Sequence, residues 1–263
     1  MPYVKSFDGN NIYYEIKGEG IPLVFLPCVG ASLEYWKYQE PLSIKYKMVL
    51  IDVAGHGKSD NNRENFTYQS LAKDVISVIE EEQLEKVIFV GHSFGGCIAL
   101  EASVLLQEKV LGIVNVDSLM PLTPYYASKA TDEEITEVMK EYEGDYKENY
   151  DGLLYRMLGD KFTDDQKAWV ISVAGYDQVN QSDLRNMVLQ MLLYDFHESI
   201  DKITCPIKYI LRGTYNPEYK EILIKEQKGA KFIENVGHLM NLEKPEEFNR
   251  LVIECVKEIV GKK

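Results

Sequence analysis

The sequence predicts an α/β domain: a mostly parallel central sheet with helices on both faces, plus a helical insertion after the sixth strand. Three observations point there. Short, almost wholly apolar runs recur at 23–26, 48–51, 87–90, 111–116 and 207–211, and such runs suit strands buried on both faces of a parallel sheet. Helical patterns at 70–82, 95–107 and 245–260 separate several of them, as alternating α/β architecture requires. A serine between glycines, Gly91-His92-Ser93-Phe94-Gly95, joins one apolar run to a small-residue helical stretch.

The elements follow in order. Two alternating runs at 3–7 and 12–16, split by Asp8-Gly9-Asn10, read as an antiparallel hairpin. The runs at 23–26 and 48–51 then begin the buried sheet, and 87–90 and 111–116 flank the helical stretch that follows Ser93. From 118 to 200 the rhythm breaks. Helical patterns at 132–142, 164–174 and 183–193 replace strands, and Thr131-Asp132-Glu133-Glu134 and Thr163-Asp164-Asp165-Gln166 look like helix starts with acidic first turns. The sheet resumes at 207–211, gains a short last strand at 231–233, and closes with the helix at 245–260. The expected organisation is a core of residues 1–117 and 201–263 carrying a helical cap of residues 118–200.

A chain of 263 residues can bury one large core. Its net charge of −13 disfavours nucleic acid or an anionic membrane as a partner. The N-terminal residues lack an apolar signal core, and no stretch is long and apolar enough to span a bilayer. Cys28, Cys97, Cys205 and Cys255 are far apart and form no C-x-x-C pair, which fits free thiols in a cytoplasmic protein. Gly55-His56-Gly57-Lys58-Ser59 lacks the upstream glycine of a phosphate loop. No metal-ligand cluster and no dinucleotide fingerprint stand out, so neither cofactor nor metal is expected. A small molecule is the expected partner, and the oligomeric state stays open.

Chemistry concentrates at Ser93. A strand, a sharp glycine-flanked turn and a helix start expose a serine hydroxyl and aim a helix N-terminus at any anion formed beside it. A serine needs a base to take its proton. Of the four histidines, His238 sits in a loop between the last strand and last helix, in Asn235-Val236-Gly237-His238-Leu239-Met240, and is the candidate base. His56 reads as a hydrogen-bonding loop residue, His92 as a scaffold residue behind the turn, and His197 as a surface or hinge residue.

At this point the chain resembles an α/β-hydrolase over nearly its whole length. The resemblance rests on Leu23-Val24-Phe25-Leu26-Pro27, Asp52 through Ser59, Gly91 through Gly96, Ile203-Thr204-Cys205-Pro206 and Gly237-His238. It implies Ser93 as nucleophile, His238 as base and a cap over the site. Two departures matter. The family usually places an acid after the strand here ending Leu211-Arg212, but this chain has Asn216 there. Some members carry the acid at the end of the strand here ending Val116, which makes Asp117 the expected partner of His238, with Asn216 as the alternative orienter and Glu218 a third possibility. The family often has His-Gly after the strand ending Leu26, where this chain reads Pro27-Cys28-Val29-Gly30. Backbone N–H groups of Val29 and Phe94 are the implied oxyanion donors, and Cys28 reads as a packed small residue. The cap's tyrosines and methionines suit an apolar cleft, with Trp36 and Phe94 as candidate lining residues. The implied activity is a carboxylesterase-like serine hydrolase acting on a small hydrophobic ester. Two alternatives stand beside it. One is a hydrolase-like ligand-binding or receptor protein with weak catalysis. The other uses the same residues for lactone or carbon–carbon bond hydrolysis, acyl transfer or lyase chemistry, since fold alone does not choose.

Overall fold

The computed structural model describes residues 2–118, 131–140, 162–173, 181–194, 196–215, 220–221, 224 and 229–261. Eight strands form one sheet: β1 (Tyr3–Lys5), β2 (Asn11–Lys17), β3 (Pro22–Leu26), β4 (Lys47–Asp52), β5 (Val87–His92), β6 (Val110–Val116), β7 (Ile207–Arg212) and β8 (Lys231–Ile233). Their spatial order is β1-β2-β4-β3-β5-β6-β7-β8. The β1–β2 and β2–β4 pairs are antiparallel, and every pair from β4–β3 to β7–β8 is parallel.

Both faces of the parallel strands are covered, which is why their sequences are apolar without alternation. On β3, Leu23 and Phe25 face one core with Tyr35, Trp36, Phe248 and Val252. Val24 and Leu26 face the other, with Val75, Val78, Ile98 and Leu100. Fully burying each of these large apolar side chains contributes about 1.5–3 kcal/mol. The covering helices are α1 (Tyr68–Glu81), α2 (Phe94–Leu106) and the C-terminal helix Pro245–Val260. The first begins two residues before the sequence pattern suggested, because the Thr67 hydroxyl accepts the Ser70 N–H at 3.1 Å and caps it, worth about 1 kcal/mol.

A 3₁₀ segment, Leu33–Ile44, follows β3 and was not expected from the sequence. Pro41 lies inside it, and proline cannot donate to an α-helical ladder. Within the stretch read as a cap, the described elements are helical: α3 (Asp132–Lys140), α4 (Asp164–Val173), α5 (Gln181–Leu193) and α6 (His197–Ile200). The short α7 (Met240–Glu243) and α8 (Pro245–Val260) complete the chain. Among the described residues, no helix is long and apolar enough to cross a membrane. All four cysteines are free thiols. Cys28 is buried, as a packed small residue should be. Trp36 is buried in the core, against Phe25, Tyr35 and Phe248.

Candidate active site

Ser93 joins the end of β5 to the start of α2 with φ 52° and ψ −117°. Such a backbone costs about 1–3 kcal/mol in a non-glycine residue, so its surroundings must enforce it. The Ser93 N–H donates to the Val116 carbonyl on β6 at 2.9 Å, and the Ser93 carbonyl accepts the Gly96 N–H at 2.9 Å, opening the helix. The flanking glycines leave room for the crossing. A Cβ at Gly91 would meet the backbone of Gly95 and Gly96, and one at Gly95 would run into the carbonyls of Leu26 and Pro27. The turn therefore presses directly against the loop after β3.

That loop is a tight turn. The Cys28 carbonyl accepts the Ala31 N–H at 3.1 Å, with Gly30 at φ 77°, as a type II turn requires at its third residue. The loop after β4 holds it in place. Asp52 accepts the Leu33 N–H at 2.6 Å and the Lys58 N–H at 2.9 Å, and the Ser59 hydroxyl donates back to the Asp52 carbonyl. His56 Nε2 accepts the Gly30 N–H at 3.0 Å, while its Nδ1–H donates to the Ala54 carbonyl at 3.3 Å. Burial drives the His56 pKa down to about 4, so the ring is neutral and can accept. Its expected role as a hydrogen-bonding loop residue gains a specific target, the turn carrying Val29.

Asp117 lies one residue beyond β6, with φ 45°, a left-handed backbone that aspartate tolerates better than most residues. Its N–H donates to the Ile210 carbonyl at 3.0 Å. Its carboxylate accepts His238 Nδ1–H on Oδ2 at 2.6 Å and the Tyr215 hydroxyl on Oδ1 at 2.6 Å. Arg212 Nε stands 3.6 Å from Oδ2, and its guanidinium lies over the Tyr215 ring at 4.6 Å. Burial opposes ionisation of Asp117. The His238 hydrogen bond, the charges of His238 and Arg212, and the Tyr215 hydroxyl outweigh it, so the carboxyl titrates below the ordinary aspartate value. With Nδ1–H committed to Asp117, a neutral His238 carries its lone pair on Nε2.

The His238 loop is pinned on several sides. The Gly237 N–H donates to Glu243 at 2.7 Å, Thr214 Oγ1–H to the Val236 carbonyl at 3.0 Å, and Lys244 Nζ to the Glu234 carbonyl at 2.7 Å. Behind it lies His92, whose ring centroid is 4.5 Å from that of His238. The Tyr35 hydroxyl donates to Asn241 Oδ1 at 2.7 Å, so its oxygen accepts His92 Nδ1–H at 2.8 Å. Complete burial keeps His92 neutral, its pKa well below the usual histidine value. It packs in the scaffold as expected. His197 begins α6.

The fold thus brings Asp117 and His238 into direct contact and sets His238 beside His92, the residue preceding Ser93. Among the described residues the Ser93 hydroxyl has no hydrogen-bond partner; such contacts often tighten only with substrate bound. Asn216 and Glu218 lie outside the described residues. Sequence reasoning missed Tyr215, Arg212, Tyr35 and Asn241. Their signal is pairing across far-apart segments, which no local motif carries.

Comparisons with known proteins place the chain. A sequence profile of the Alpha/beta hydrolase family matches residues 23–251, and the chain belongs to that family. The AB hydrolase superfamily protein YisY of Bacillus subtilis is 33% identical over 100 residues, covering 37% of each chain. The chain spans less than half the length of the curated relatives it matches. Among solved structures, a thermophilic esterase from Thermogutta terrifontis (malate bound) superposes with TM-score 0.80 at 18% identity, covering 98% of both chains. The enol-lactonase from Burkholderia xenovorans LB400 superposes with TM-score 0.80 at 17% identity, covering 97% of this chain and all of the other. At these identities the likeness is one of fold.

Proposed function

We propose that the protein is a serine hydrolase cleaving an ester-like bond of a small hydrophobic substrate through an acyl-enzyme. The observation that carries this reading is the 2.6 Å contact between His238 Nδ1 and a buried Asp117, with His238 packed on His92, the residue before a serine with φ 52° at a strand-to-helix turn. His238 Nε2 takes the Ser93 proton as Oγ attacks the carbonyl carbon. Negative charge moves to the carbonyl oxygen, where the N–H groups of Val29 and Phe94 receive it. The tetrahedral intermediate collapses, His238 gives its proton to the departing alkoxide, and an acyl-Ser93 remains. His238 then deprotonates a water that attacks the acyl carbon. A second collapse releases the acid and returns the proton to Ser93. Asp117 stays ionised throughout and stabilises the imidazolium.

The helices between 118 and 200 act as a cap over this site. Met187 and Phe66 fill the space against Gly55, and Tyr194 and Phe196 pack on Tyr68, whose ring touches Phe94 at 5.1 Å. These contacts join the end of the cap to the residue after the nucleophile and support an apolar acyl site there. The buried Asp117 carboxylate that orients His238 supports catalysis over a binding-only role.

Turnover of short-chain p-nitrophenyl esters tests the reading. Wild type is expected to hydrolyse them and to be labelled at Ser93 by a fluorophosphonate, while Ser93→Ala loses both. Wild-type rates in Ser93→Ala would end this mechanism.

A further inference from the structure

We propose that His56 is a positioning residue that holds both halves of the oxyanion site, one through a hydrogen bond and the other through its ring. The inference rests on the serine hydrolase reading above.

The first half is the turn Cys28–Ala31. The Gly30 N–H is committed to His56 Nε2 at 3.0 Å, so it is not an oxyanion donor. A trans peptide keeps C=O and N–H antiparallel. With the Cys28 carbonyl turned toward Ala31, the Val29 N–H points to the opposite side of the turn. The His56 bond fixes the next peptide, so the two bonds together set the Val29 backbone. The second half is Phe94, whose own N–H is the other donor. Its ring lies 6.0 Å from that of His56 at an interplanar angle of 20°, and Tyr68 covers it from elsewhere at 5.1 Å. One buried side chain thus touches both segments whose N–H groups must converge on a single oxygen. Donors contribute most when they are already aimed at the charge that develops.

Only a neutral imidazole can do this. Nδ1–H goes to the Ala54 carbonyl, which leaves Nε2 as an acceptor. No other described side chain donates to or accepts from this ring, so the bond to Gly30 is its one link to the turn.

Two variants separate the links. His56→Phe keeps a ring against Phe94 but cannot accept from Gly30. His56→Gln offers an acceptor oxygen and a donor amide but no ring. For folded protein, with folding checked by near-ultraviolet circular dichroism, His56→Phe is expected to lower kcat on p-nitrophenyl butyrate about 100-fold, the loss typical of a misplaced oxyanion donor. KM should change less than about threefold, because the ground-state ester carries little charge on that oxygen. Fluorophosphonate labelling of Ser93 should slow in parallel. His56→Gln should stay within about tenfold of wild type.

A merely structural role would lower the unfolding midpoint of both variants without splitting kcat from KM. Wild-type kcat in folded His56→Phe, or a 100-fold loss in folded His56→Gln, overturns the proposal. The second result also decides the matter if His56→Phe does not fold. Wild type that neither turns over ester nor labels at Ser93 would instead bring down the hydrolase reading, and this inference with it.

Discussion

The two halves of the site are held by different forces. The proposed nucleophile half, from β3, β4, β5 and α2, is an assembly of backbone. Ser93 is fixed by main-chain bonds to Val116 and Gly96 and by glycines that let Gly95 lie against Leu26 and Pro27, while a neutral His56 braces the facing Cys28–Ala31 turn. The proposed acid–base half, from the ends of β6 and β7 and the loop before α7, is an assembly of side chains. His238, Tyr215 and Arg212 converge on one buried carboxylate. A backbone assembly fails when volume is added. A charge assembly fails when a proton or a donor is removed. Each prediction below presses on one half and leaves the other as a control.

The largest effect is expected at the carboxylate. Asp117→Asn keeps the shape but removes the charge and favours the wrong histidine tautomer, a change that costs about 10⁴ in kcat in a triad of this kind. Asn216→Ala should stay near wild type. Steady-state kinetics on one ester, with both variants shown to be folded, decides between the two residues, and the reverse ranking would reassign the acid.

Next comes added volume. Gly95→Ala places a methyl against the carbonyls of Leu26 and Pro27, both backbone and unable to swing away. A loss of about 4 kcal/mol in urea unfolding is expected, at the top of the range for single substitutions. Stability within 1 kcal/mol of wild type would mean that the two loops are not in the contact that defines this half.

Acid separates the halves by pH. His56 titrates near 4 in the folded protein against an ordinary value of 6.5. The unfolded chain therefore binds a proton that the folded chain refuses. From this residue alone, stability falls by about 3 kcal/mol as pH drops from about 6.5 to 4, while Asp52, pushed up to about 7 by burial, adds stability over the same window as it takes up a proton. Asp117, lowered below its ordinary 3.8, acts in a lower window. Its contribution is complete above pH 3.8 and is lost as pH falls through its folded value. Relative to wild type, His56→Gln should gain about 3 kcal/mol of stability as pH falls from 6.5 to 4 and leave the fall through the Asp117 window unchanged. Parallel curves for variant and wild type would show that folding does not lower the His56 pKa.

The same division explains what the sequence revealed. The nucleophile half is written in contiguous residues. Gly91 through Gly96 encode strand, turn and helix in six letters, and Asp52 through Ser59 encode the loop that braces them. The parallel strands were legible because burial on both faces removes alternation. The acid–base half was legible only as separate candidates. Asp117 and His238 are 121 positions apart, and nothing local to Asp117 marks it as more than a strand-end aspartate. Tyr215 and Arg212 were invisible, since their roles exist only once β6 and β7 pair. The 3₁₀ segment at Leu33–Ile44 was missed because Pro41 and weak patterning give it no helical period. The cap boundaries at 118 and 200 remain proposals.

The smallest effect falls on the residue that sequence reasoning missed most completely. Tyr215 donates one uncharged hydroxyl to Oδ1 of a carboxylate already held by His238 and neighboured by Arg212. Removing one donor to a charged acceptor costs about 1.5–3 kcal/mol when the acceptor is left unsatisfied. Here Arg212 remains within reach, so the lower end applies, about tenfold in kcat for Tyr215→Phe. The Asp117 carboxyl loses one of the bonds that keep it ionised, so its pKa should rise, and the acid limb of activity should move up with it. Arg212→Gln removes a positive charge from the same carboxylate, and that charge competes with the imidazolium for Asp117. If Arg212 acts mainly as this competitor, Arg212→Gln strengthens the His238 pair and changes kcat less than Tyr215→Phe does. If it acts mainly as a clamp on Tyr215, the two variants lose activity alike and the double variant loses no more than either alone. Kinetics of the two single variants and the double variant at several pH values distinguishes competitor from clamp. Additive losses would show that the end of β7 and the loop after it supply two independent supports to the Asp117 carboxylate.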